Sequence, residues 1–462
     1  MSKIAIIGSG VSGLLAGLGL QKQGHDVTIH SALSADDWLT KVPPTGTACR
    51  FSSSLDLERE LGVNHWEDST PIEGIHLTFC PKMGRQLIDL IGRFENKALA
   101  IDVRRQSHQW THDFETRGGT VVVENVDVPR LEEIAAGADL TLVAAGKADI
   151  GKIFEVDTAR SVYDKPQRKL AMFVMKNIDL DRSRDGIPLH HGIKFNFFAT
   201  AGEQFSIPYW HKDGYQCWNA LFEARPGGIF DKFDDCKDGH AVLARVKELF
   251  KEHIPWDYQW IKDAELADEK GWLKGAFTPC FKKPVGYLPS GAPVMALGDM
   301  ANSLDPIGGQ GANNCYRQIK NLLQAMEENT EADYGEDWMN ATFDRFYEDS
   351  GKVTNDFNNL LLEEITPAAQ RLLIAQYGSN GQADNGSVHQ IVANAFCNNF
   401  DDPNRLTAQL LQPKEALAFM NGVSGGKAAR IDISNKLKIG KGQVRQILGM
   451  PRSDHPLARM TP

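Results

Sequence analysis

The sequence lacks the features that identify three common classes of protein. Its seven cysteines are scattered and include no C-x-x-C pair, which argues against a disulfide framework and a zinc site. No apolar run is long enough to span a bilayer, and no charged leader with a cleavage site precedes the first apolar segment. We therefore expect a cytoplasmic protein with no membrane partner and no bound metal.

Basic residues are also fewer than acidic residues. The 462 residues include 60 Asp and Glu against 50 Lys and Arg, for a formal net charge of -10. Because phosphates are bound by cationic surfaces, this balance argues against nucleic acid or an anionic membrane as the main partner. The length predicts two or three domains, and the 42% hydrophobic content is enough for a sizeable core.

Glycine, by contrast, is placed where a cofactor loop needs it. The run "KIAIIG" (3–8) predicts a buried strand, residues 11–23 a helix, and "DVTIH" (26–30) a second strand. Gly8, Gly10 and Gly13 form a G-x-G-x-x-G pattern between the first strand and the helix. In this βαβ setting, such glycines let the backbone approach a pyrophosphate at a helix N-terminus. The sequence therefore predicts a dinucleotide-binding site.

One part of that pattern is missing. An Asp or Glu at the end of the second strand normally binds the ribose hydroxyls of the adenosine, but His30 and Ser31 occupy this place. Loss of a charge-assisted contact costs about 1.5–3 kcal/mol of affinity. Two interpretations stay open: the cofactor is held more weakly, or His30 or a neighbouring side chain restores the contact.

A second glycine-rich loop lies near residue 300. "GDMANSLDPIGGQGANN" (298–314) follows a predicted strand over 293–299 and opens a predicted helix over 311–326. Asp299 is then at the carboxyl edge of the sheet, and the glycines offer bare N–H groups to an anionic ring edge. Alone, the loop is equally typical of a helix cap. Together with the first motif, it indicates the second half of a flavin site.

The rest of the chain changes in texture. Aromatic and polar residues alternate over 161–283, which predicts antiparallel strands, and residues 338–419 have helical spacing. The tail, 420–462, carries eight Lys or Arg against Asp432 and Asp454, and its 433–448 stretch has the spacing of a small helix-turn-helix. A solvated tail or a short terminal helix pair is the simpler interpretation. His190, His191 and His211 lack a carboxylate or Cys at metal spacing, which favours surface or strand histidines.

These motifs, taken in order, resemble a known family. With "AIDVRR" (100–105), "AAGKADIGKIFE" (144–155) and "FTPCFKKPVGYLPSG" (277–291), they look like the FAD-dependent aromatic monooxygenases of the p-hydroxybenzoate hydroxylase fold. Within that group the chain is most similar to the oxygenase subunit of two-component styrene and indole monooxygenases, over about residues 1–410. The tail after about 420 has no counterpart in this resemblance.

The resemblance implies a fold and a division of the chain. It implies an α/β fold with a Rossmann-like FAD-binding domain, an inserted β-rich substrate domain and a C-terminal helical region. The expected boundaries are 1–64, 100–160 and 284–345 for FAD binding, 65–99 and 161–283 for the substrate domain, 346–419 for the helical region and 420–462 for the basic tail.

The resemblance also implies a reaction. Reduced FAD (FADH2) comes from a separate NAD(P)H:flavin reductase, and one atom of O2 enters an indole- or styrene-like substrate through a C4a-hydroperoxyflavin. No protein nucleophile is needed, so no catalytic side chain is expected. Arg104 is included among the flavin contacts, although an ordinary surface cation is an alternative. The implied contacts are Gly8, Gly10, Val11, Ser12, Gly13, His30, Arg104, Ala145, Gly146, Asp299, Pro306, Gly309, Gln310, Gly311, Ala312 and Asn313.

Candidate substrate-pocket residues come from the aromatic-rich region and from the 45–54 loop. They are Thr47, Cys49, Phe195, Phe197, Phe205, Ile207, Pro208, Trp218 and Leu221. Arg50 departs from the family, which has small pocket-facing residues there. If Arg50 faces the pocket, the substrate carries a carboxylate or another acceptor; if it faces solvent, an apolar substrate is expected.

Other functions stay open at this point. A self-sufficient NAD(P)H-dependent hydroxylase of the same fold would oxidise NAD(P)H without a reductase. A halogenase is disfavoured, because no W-x-W-x-I-P stretch is present. A flavin-sensing protein that binds nucleic acid through the basic tail is a further alternative, opposed by the acidic body. A homodimer is left open.

Overall fold

The computed structural model describes residues 1–46, 49–81, 85–145, 148–179, 191–382 and 386–450. Within these ranges no helix combines the length and the apolar character that crossing a membrane requires. All seven cysteines are free thiols, and six of them are buried. None of the scattered cysteines therefore forms a disulfide bond with another.

The bounds of the secondary-structure elements are as follows. The strands are β1 (Lys3–Ile7), β2 (Asp26–Ser31), β3 (Cys49–Arg50), β4 (Ile72–Cys80), β5 (Ile88–Ala100), β6 (Thr120–Val123), β7 (Leu140–Val143), β8 (Lys169–Lys176), β9 (Ile193–Phe198), β10 (Gly202–Trp210), β11 (Gln216–Ala224), β12 (Glu265–Leu266), β13 (Trp272–Gly275), β14 (Cys280–Phe281), β15 (Val285–Tyr287), β16 (Pro293–Ala296) and β17 (Asn302–Ser303). The helices are α1 (Val11–Lys22), α2 (Ala35–Thr40), α3 (Ser52–Leu61), α4 (Val103–Thr116), α5 (Val128–Ala136), α6 (Ala148–Gly151), α7 (Gly239–His253), α8 (Pro255–Ile261), α9 (Gln310–Glu328), α10 (Glu336–Phe346), α11 (Lys352–Leu362), α12 (Pro367–Ala375), α13 (Val388–Asp401), α14 (Thr407–Leu411), α15 (Pro413–Ser424) and α16 (Ala428–Ile447).

The first of two compact units comprises Met1–Glu67, Ile101–Pro166 and Phe277–Asn355. Its sheet has the strand order β15-β16-β7-β1-β2-β6. The pairs from β16 to β6 are parallel, and β15 joins β16 antiparallel. Because β1 and β7 are buried, apolar side chains occupy nearly every position of both strands. The carboxyl ends of the parallel strands therefore lie along one edge, where α/β sheets bind ligands.

The second unit comprises Asp68–Ala100, Gln167–Ala276 and Asp356–Pro462. Its strands follow the order β12-β8-β11-β10-β9-β4-β5, and β13 also pairs with β8. The pairs β9–β10, β10–β11 and β11–β8 are antiparallel, as the alternating sequence predicts. In contrast, β4 pairs with β9 in parallel. One sheet face and helix α7 share an apolar core that includes Phe173, Trp218 and Phe222. The roles of the two units in flavin and substrate binding stay predictions.

The basic tail differs from its expected form. Residues 428–447 make one helix, α16, rather than a helix-turn-helix or a short helix pair. Its inner face is held by Asn435, whose Nδ2 donates to the Ile374 carbonyl over 2.9 Å, and by the nearly buried Ile439. The predicted helix-turn-helix stretch, 433–448, therefore lies almost entirely in this one helix, which follows α15 after a three-residue turn.

Candidate functional site

The glycine-rich loop after β1 lies at the carboxyl edge of the first sheet. A Cβ at Gly13 would lie 2.0 Å from the Gly8 carbonyl oxygen, so helix α1 approaches the loop as only glycine allows. Gly8 itself has φ +110°, and a Cβ there would lie 2.5 Å from the Cβ of Ala145, after β7. A Cβ added at Gly298, after β16, would lie 2.3 Å from the Ser12 hydroxyl oxygen. Three strand ends and the start of α1 therefore meet here, and Val11 is the first residue of that helix.

The end of β2 carries a histidine that is already paired. His30 Nδ1 lies 2.7 Å from Oε1 of Glu124, which follows the neighbouring strand β6. Arg130 donates from Nε to the other Glu124 oxygen over 2.9 Å. The hydrogen bond from Arg130 first, and that from His30 to a smaller extent, hold the pKa of Glu124 below its usual value. An acid is thus present at this edge, but Arg130 and His30 bind its carboxylate.

The start of α9 is the second half of the site. Pro306–Gly308 form a 3₁₀ turn, and Asp305 Oδ1 accepts from the Ile307 N–H over 3.2 Å. Gly309 then takes φ +60° and leads into Gln310. Within the described chain no side chain caps α9 or α1. Because the first N–H groups of a helix lack partners inside it, both helix starts present donors and positive dipole at this edge.

Asn313, predicted to contact the cofactor, has four hydrogen bonds within the protein. Its Nδ2 donates to the carbonyls of Cys49 and Gly309 over 2.9 and 2.8 Å. Its Oδ1 accepts from the Phe51 N–H over 3.0 Å and from the Ser54 hydroxyl over 2.8 Å. The side chain therefore ties β3 and the start of α3 to the first turns of α9, and we describe Asn313 as a positioning residue.

Arg50 faces neither solvent nor a free acceptor. Its side chain is 1% exposed, and its Nε lies 2.5 Å from Oε1 of Glu58, which is also buried. Tyr316 on α9 donates its hydroxyl to the same oxygen, and Gln106 on α4 donates to the Tyr316 hydroxyl over 3.1 Å. Arg50 thus belongs to a buried network within the protein. It does not face solvent, and its Nε pairs with the Glu58 carboxylate of the protein itself.

Burial and the attraction between Arg50 and Glu58 oppose each other in this network. Burial lowers the pKa of Arg50, but the Glu58 carboxylate outweighs it, and the net change is a rise. Burial raises the pKa of Glu58, and Arg50 and Tyr316 offset only part of that rise. Burial, and then the charge of Glu58, raise the pKa of Tyr316, which keeps its phenolic proton. The ion pair is therefore held in a medium that penalises each charge when it is alone.

Arg104 and Asp299 are the charged residues of the predicted flavin contacts. Arg104 is fully buried and donates from Nε and Nη2 to Asp102, over 2.9 and 2.7 Å, so the interpretation as a surface cation is wrong. Asp299 is crowded by protein atoms around its carboxyl, although its side chain is exposed to solvent. This crowding raises the pKa of the Asp299 carboxyl.

The backbone at this edge leaves room for a cofactor. A Cβ added at Gly10, Gly309 or Gly311 would meet no heavy atom within 4 Å. The amide of Asn314, buried near the start of α9, has no hydrogen-bond partner in the described parts of the chain. Open backbone beside two helix starts, with an unpaired amide, fits the pyrophosphate and the polar ring edge of a flavin. Ala312 lies in the same turn as Gly311.

The predicted substrate residues of the second unit divide between two faces of its sheet. Phe205 pairs with Phe195 on β9 and with Leu221 on β11, and directly paired residues point to one face. Phe197 and Ile207 alternate onto the same face, and the ring centroids of Phe195 and Phe205 are 5.8 Å apart. These five residues form what we name the phenylalanine face.

Two of the predicted residues belong elsewhere. Pro208 pairs with Trp218, and Trp218 lies in the core shared with α7. Side chains alternate between faces along a strand, so Pro208 and Trp218 lie opposite the phenylalanine face, and we remove them from the candidate pocket. Cys49 is buried in the first unit. Thr47 and Gly146 lie outside the described residues, as does His190.

Sequence reasoning missed three residues and misplaced one. Glu124, Glu58 and Tyr316 carry no motif, and each meets its partner only through tertiary structure. His211, expected to be a surface or strand histidine without a carboxylate partner, is fully buried, and its Nε2 lies 2.7 Å from Oδ2 of Asp268. The two residues are 57 positions apart in the sequence, which explains why spacing did not reveal the pair.

Comparison with known proteins shows which enzymes the chain is similar to. Residues 146–259 match the family described as "Styrene monooxygenase A putative substrate binding domain". Styrene monooxygenase StyA of Pseudomonas fluorescens is 28% identical over 319 residues, which span 67% of this chain and 74% of the relative. The chain is therefore similar to the styrene monooxygenases over two thirds of its length. Like these relatives, the chain is a flavin-dependent monooxygenase.

More distant relatives agree with the fold. Kynurenine 3-monooxygenase of Saccharomyces cerevisiae is 24% identical over 352 residues, 71% of this chain and 74% of the relative. The crystal structure of CmlS, a flavin-dependent halogenase, superposes with a TM-score of 0.58 at 16% identity, over 96% of this chain and 78% of that one. A flavoprotein/dehydrogenase from Cytophaga hutchinsonii gives 0.61 at 12% identity, over 94% and 99%. The predicted fold class is thus confirmed.

Proposed function

We propose that the chain is the oxygenase component of a two-component system, which receives FADH2 from a separate NAD(P)H:flavin reductase. It inserts one oxygen atom of O2 into an indole- or styrene-like substrate, by epoxidation or hydroxylation. The similarity to proteins named styrene monooxygenase supports the substrate class. One structural observation, at the end of β2, carries the two-component mode.

That observation is the engaged carboxylate of Glu124. A protein that keeps its FAD uses an acid near this edge to accept hydrogen bonds from the ribose hydroxyls. Here His30 and Arg130 already bind the Glu124 oxygens, at 2.7 and 2.9 Å. A ribose contact would have to compete with them. Weaker retention of FAD follows, and weak retention suits a cofactor that also diffuses between two proteins as a substrate.

We assign the flavin to the carboxyl edge of the first sheet. The open backbone at Gly10 would receive the pyrophosphate, with the start of α1 supplying N–H donors. The uncapped start of α9, from Gly309 to Ala312, would stabilise negative charge on the pyrimidine side of the ring. Asp299 would accept from the polar chain of the cofactor. When bound, reduced flavin supplies the activation of O2.

Side chains of the protein position and shield the reaction in this proposal. Asn313 and the Arg50–Glu58 pair hold the 49–54 segment against α9 and α4, so the segment has one fixed position. The phenylalanine face offers apolar rings to an aromatic substrate and excludes water. Among its five members only Phe197 is more than marginally exposed, which makes Phe197 the first candidate for substrate contact.

The test of the two-component mode uses reduced FAD and no nicotinamide. FAD is reduced anaerobically, mixed with the protein, and then mixed with oxygenated buffer in a stopped-flow spectrometer. We expect a transient absorbance that differs from oxidised and reduced FAD and lasts longer with protein than without it. With styrene or indole present, the oxygenated product is expected, measured by chromatography.

The control decides between the two oxygenase modes. The protein alone, given oxidised FAD, NAD(P)H and an aromatic substrate, is expected to leave NAD(P)H unconsumed until a flavin reductase is added. Rapid NAD(P)H oxidation on addition of the aromatic, with no reductase present, would instead establish a self-sufficient hydroxylase. Immediate return to oxidised FAD without a transient or a product would contradict both.

Asp299→Asn separates the role of this residue in flavin binding from its effect on folding. The pKa of Asp299 is raised in the folded protein, so its charged form opposes folding once the pH exceeds the carboxyl pKa of the unfolded chain. Asn removes that charge, and because solvent screens the exposed Asp299, we expect only a small rise in melting temperature for the cofactor-free variant at neutral pH. The gain should vanish below about pH 4, where the unfolded-state carboxyl is also protonated. FAD affinity should fall about tenfold or more.

Melting curves across pH and an FAD titration measure the two effects of Asp299→Asn. Asp299→Ala is the control, because it also removes the charge but leaves no hydrogen-bonding group. An Asn variant that is less stable at neutral pH than at pH 4, relative to the unmodified protein, would contradict the assignment of a destabilising charge.

A further inference from the structure

A group of metal-ligating side chains lies outside the site described above. Asp36 on α2 and His108 and His112 on α4 each offer one ligand atom, and these atoms all lie within 4.8 Å of one another. His108 and His112 are four residues apart, so one helix face presents both imidazoles. Asp36 joins them because α2 packs against α4.

The side chains of this group lie close to the positions that metal ligands take, so only small rotations are needed to bind an ion. His108 Nδ1 lies 3.7 Å from Asp36 Oδ1, and it is buried without a hydrogen-bond partner among the described residues. The His108 and His112 ring centroids are 4.6 Å apart. Ligands at about 2.0–2.2 Å from a tetrahedral Zn²⁺ are about 3.4 Å apart. Rotations of exposed side chains close the remaining gap, since the Asp36 side chain is 85% exposed.

The donor set selects a class of metal. Two imidazoles and one carboxylate suit Zn²⁺ and neighbouring first-row transition metals, whereas Mg²⁺ and Ca²⁺ prefer oxygen ligands only. Glu115 Oε2 lies 3.9 Å from His112 Nδ1, which places a second carboxylate beside an imidazole. A side-chain rotation that shortened this distance to a hydrogen bond would make Glu115 the usual outer partner of a metal-bound histidine.

We propose that Asp36, His108 and His112 form a binding site for a transition metal ion of the Zn²⁺ class, which joins α2 to α4. The sequence alone predicted no metal, because Asp36 is far from the two histidines along the chain. The three protein ligands leave one position of a tetrahedral ion for water or another ligand.

This site is connected to the glycine loop by hydrogen bonds. Trp38, on α2 with Asp36, donates from Nε1 to the Ser9 hydroxyl over 3.0 Å. Ser9 lies between Gly8 and Gly10, and its hydroxyl is 2.6 Å from that of Ser31 at the end of β2. A metal that restrains α2 therefore also restrains the loop that we assign to the pyrophosphate, and it should raise the affinity for FAD.

The first experiment titrates full-length protein, without a histidine tag and freed of metal by a chelator, with Zn²⁺ in a calorimeter. We expect one ion per chain with a dissociation constant in the micromolar range. Co²⁺ should give the visible absorption of a tetrahedral complex. His108→Ala and His112→Ala should each weaken Zn²⁺ binding by about 100-fold or more, since even loss of an outer partner costs about 10–100-fold.

His240→Ala is the matched control, because His240 is an exposed histidine beside a carboxylate, 3.3 Å from Glu269, in the other unit. It should leave Zn²⁺ binding unchanged. Absence of binding, or binding that survives His108→Ala, overturns the site. Circular dichroism of each variant shows whether the fold is kept, and Asp36→Asn provides a variant that changes no buried group.

The effect on FAD is tested separately. Zn²⁺ should raise FAD affinity by about fivefold in the unmodified protein and not in His112→Ala. This coupling rests on flavin binding at the glycine loop, whereas the metal titration does not, so failure of one is distinguishable from failure of the other. Equal FAD affinity with and without Zn²⁺ would overturn the coupling.

Discussion

Arg50→Met is expected to lower the free energy of unfolding by about 3–5 kcal/mol, the usual cost of removing one partner of a buried ion pair. Arg50 is 1% exposed and Glu58 fully buried, so the variant leaves the Glu58 carboxylate without its cation and without water. The remaining donor to that oxygen is the Tyr316 hydroxyl, with Gln106 at 3.4 Å. Urea denaturation followed by circular dichroism measures the change.

Two further variants isolate the pair. In Arg50→Met/Glu58→Met both charges are absent, and we expect a smaller loss than in Arg50→Met alone, because no charge stays buried. Arg59→Ala is the matched control, because Arg59 lies beside Glu58 on helix α3. Arg59 pairs with Glu67 at 2.5 Å, but both side chains are largely exposed, and the expected cost is about 1 kcal/mol or less.

The pH dependence of Arg50→Met has a definite sign. Burial already raises the pKa of Glu58, and loss of Arg50 removes the largest opposing influence. A carboxyl whose folded pKa exceeds its unfolded value opposes folding only where the unfolded chain is ionised, above about pH 4.3. The deficit of Arg50→Met should therefore be small near that pH and grow toward neutrality. A deficit that is equal at both pH values would show that lost packing, not an unpaired charge, causes it.

The local parts of this fold follow from sequence pattern alone. The predicted strand at 3–8, helix at 11–23 and strand at 26–30 correspond to β1, α1 and β2, because an apolar run, a glycine turn and a helical stripe leave few alternatives. Gly8 and Gly13 make close backbone approaches that only glycine permits, and Gly10 leaves open space beside them. The position of the first motif in the fold therefore follows from the sequence alone.

Other parts depend on partners that are distant in sequence. Glu124 reaches His30 across 94 residues because β2 and β6 are parallel neighbours, and strand order is not written in local pattern. Alternation in β10 and β11 shows that each strand has two faces, but not which face α7 covers. For that reason Trp218 was placed with Phe205, although it lies in the core on the opposite side.

The tail shows a different limit. Apolar residues at short helical spacing, with Gly440 and Gly442 between them, are compatible with two short helices or one long one. The structure has one, because Asn435, Ile439 and Gly442 pack on a single inner face. Contacts with α12 and α15, which sequence does not reveal, select the continuous helix.

Gly10→Ala is expected to lower FAD affinity by about 100-fold while the protein stays folded. Gly10 is the N-cap of α1, with φ −76°, and no heavy atom lies within 4 Å of an added Cβ. The backbone therefore accepts alanine without strain, and unfolding free energy should change by about 1 kcal/mol or less. A phosphate would lose its approach to the loop, and loss of one charge-assisted contact alone costs about 1.5–3 kcal/mol.

Gly13→Ala provides the contrast within the same motif. Its Cβ would lie 2.0 Å from the Gly8 carbonyl oxygen, which is backbone and cannot rotate away. We expect a loss of about 3 kcal/mol in stability, together with loss of FAD binding, as overpacking predicts. Gly422→Ala, at an open position of α15, is the control and should alter neither. FAD titrations and urea denaturation of the three variants separate contact with the cofactor from support of the loop.

The comparison of Gly10→Ala with Gly13→Ala tests the assignment of the first sheet edge to the flavin. If the loop only joined β1 to α1, open space at Gly10 would have no purpose, and Gly10→Ala would bind FAD as the unmodified protein does. If the loop receives the pyrophosphate, the folded Gly10→Ala protein fails to bind FAD because the space beside Gly10 is needed by the ligand. A normal FAD affinity in Gly10→Ala therefore contradicts the assignment, whatever the behaviour of Gly13→Ala.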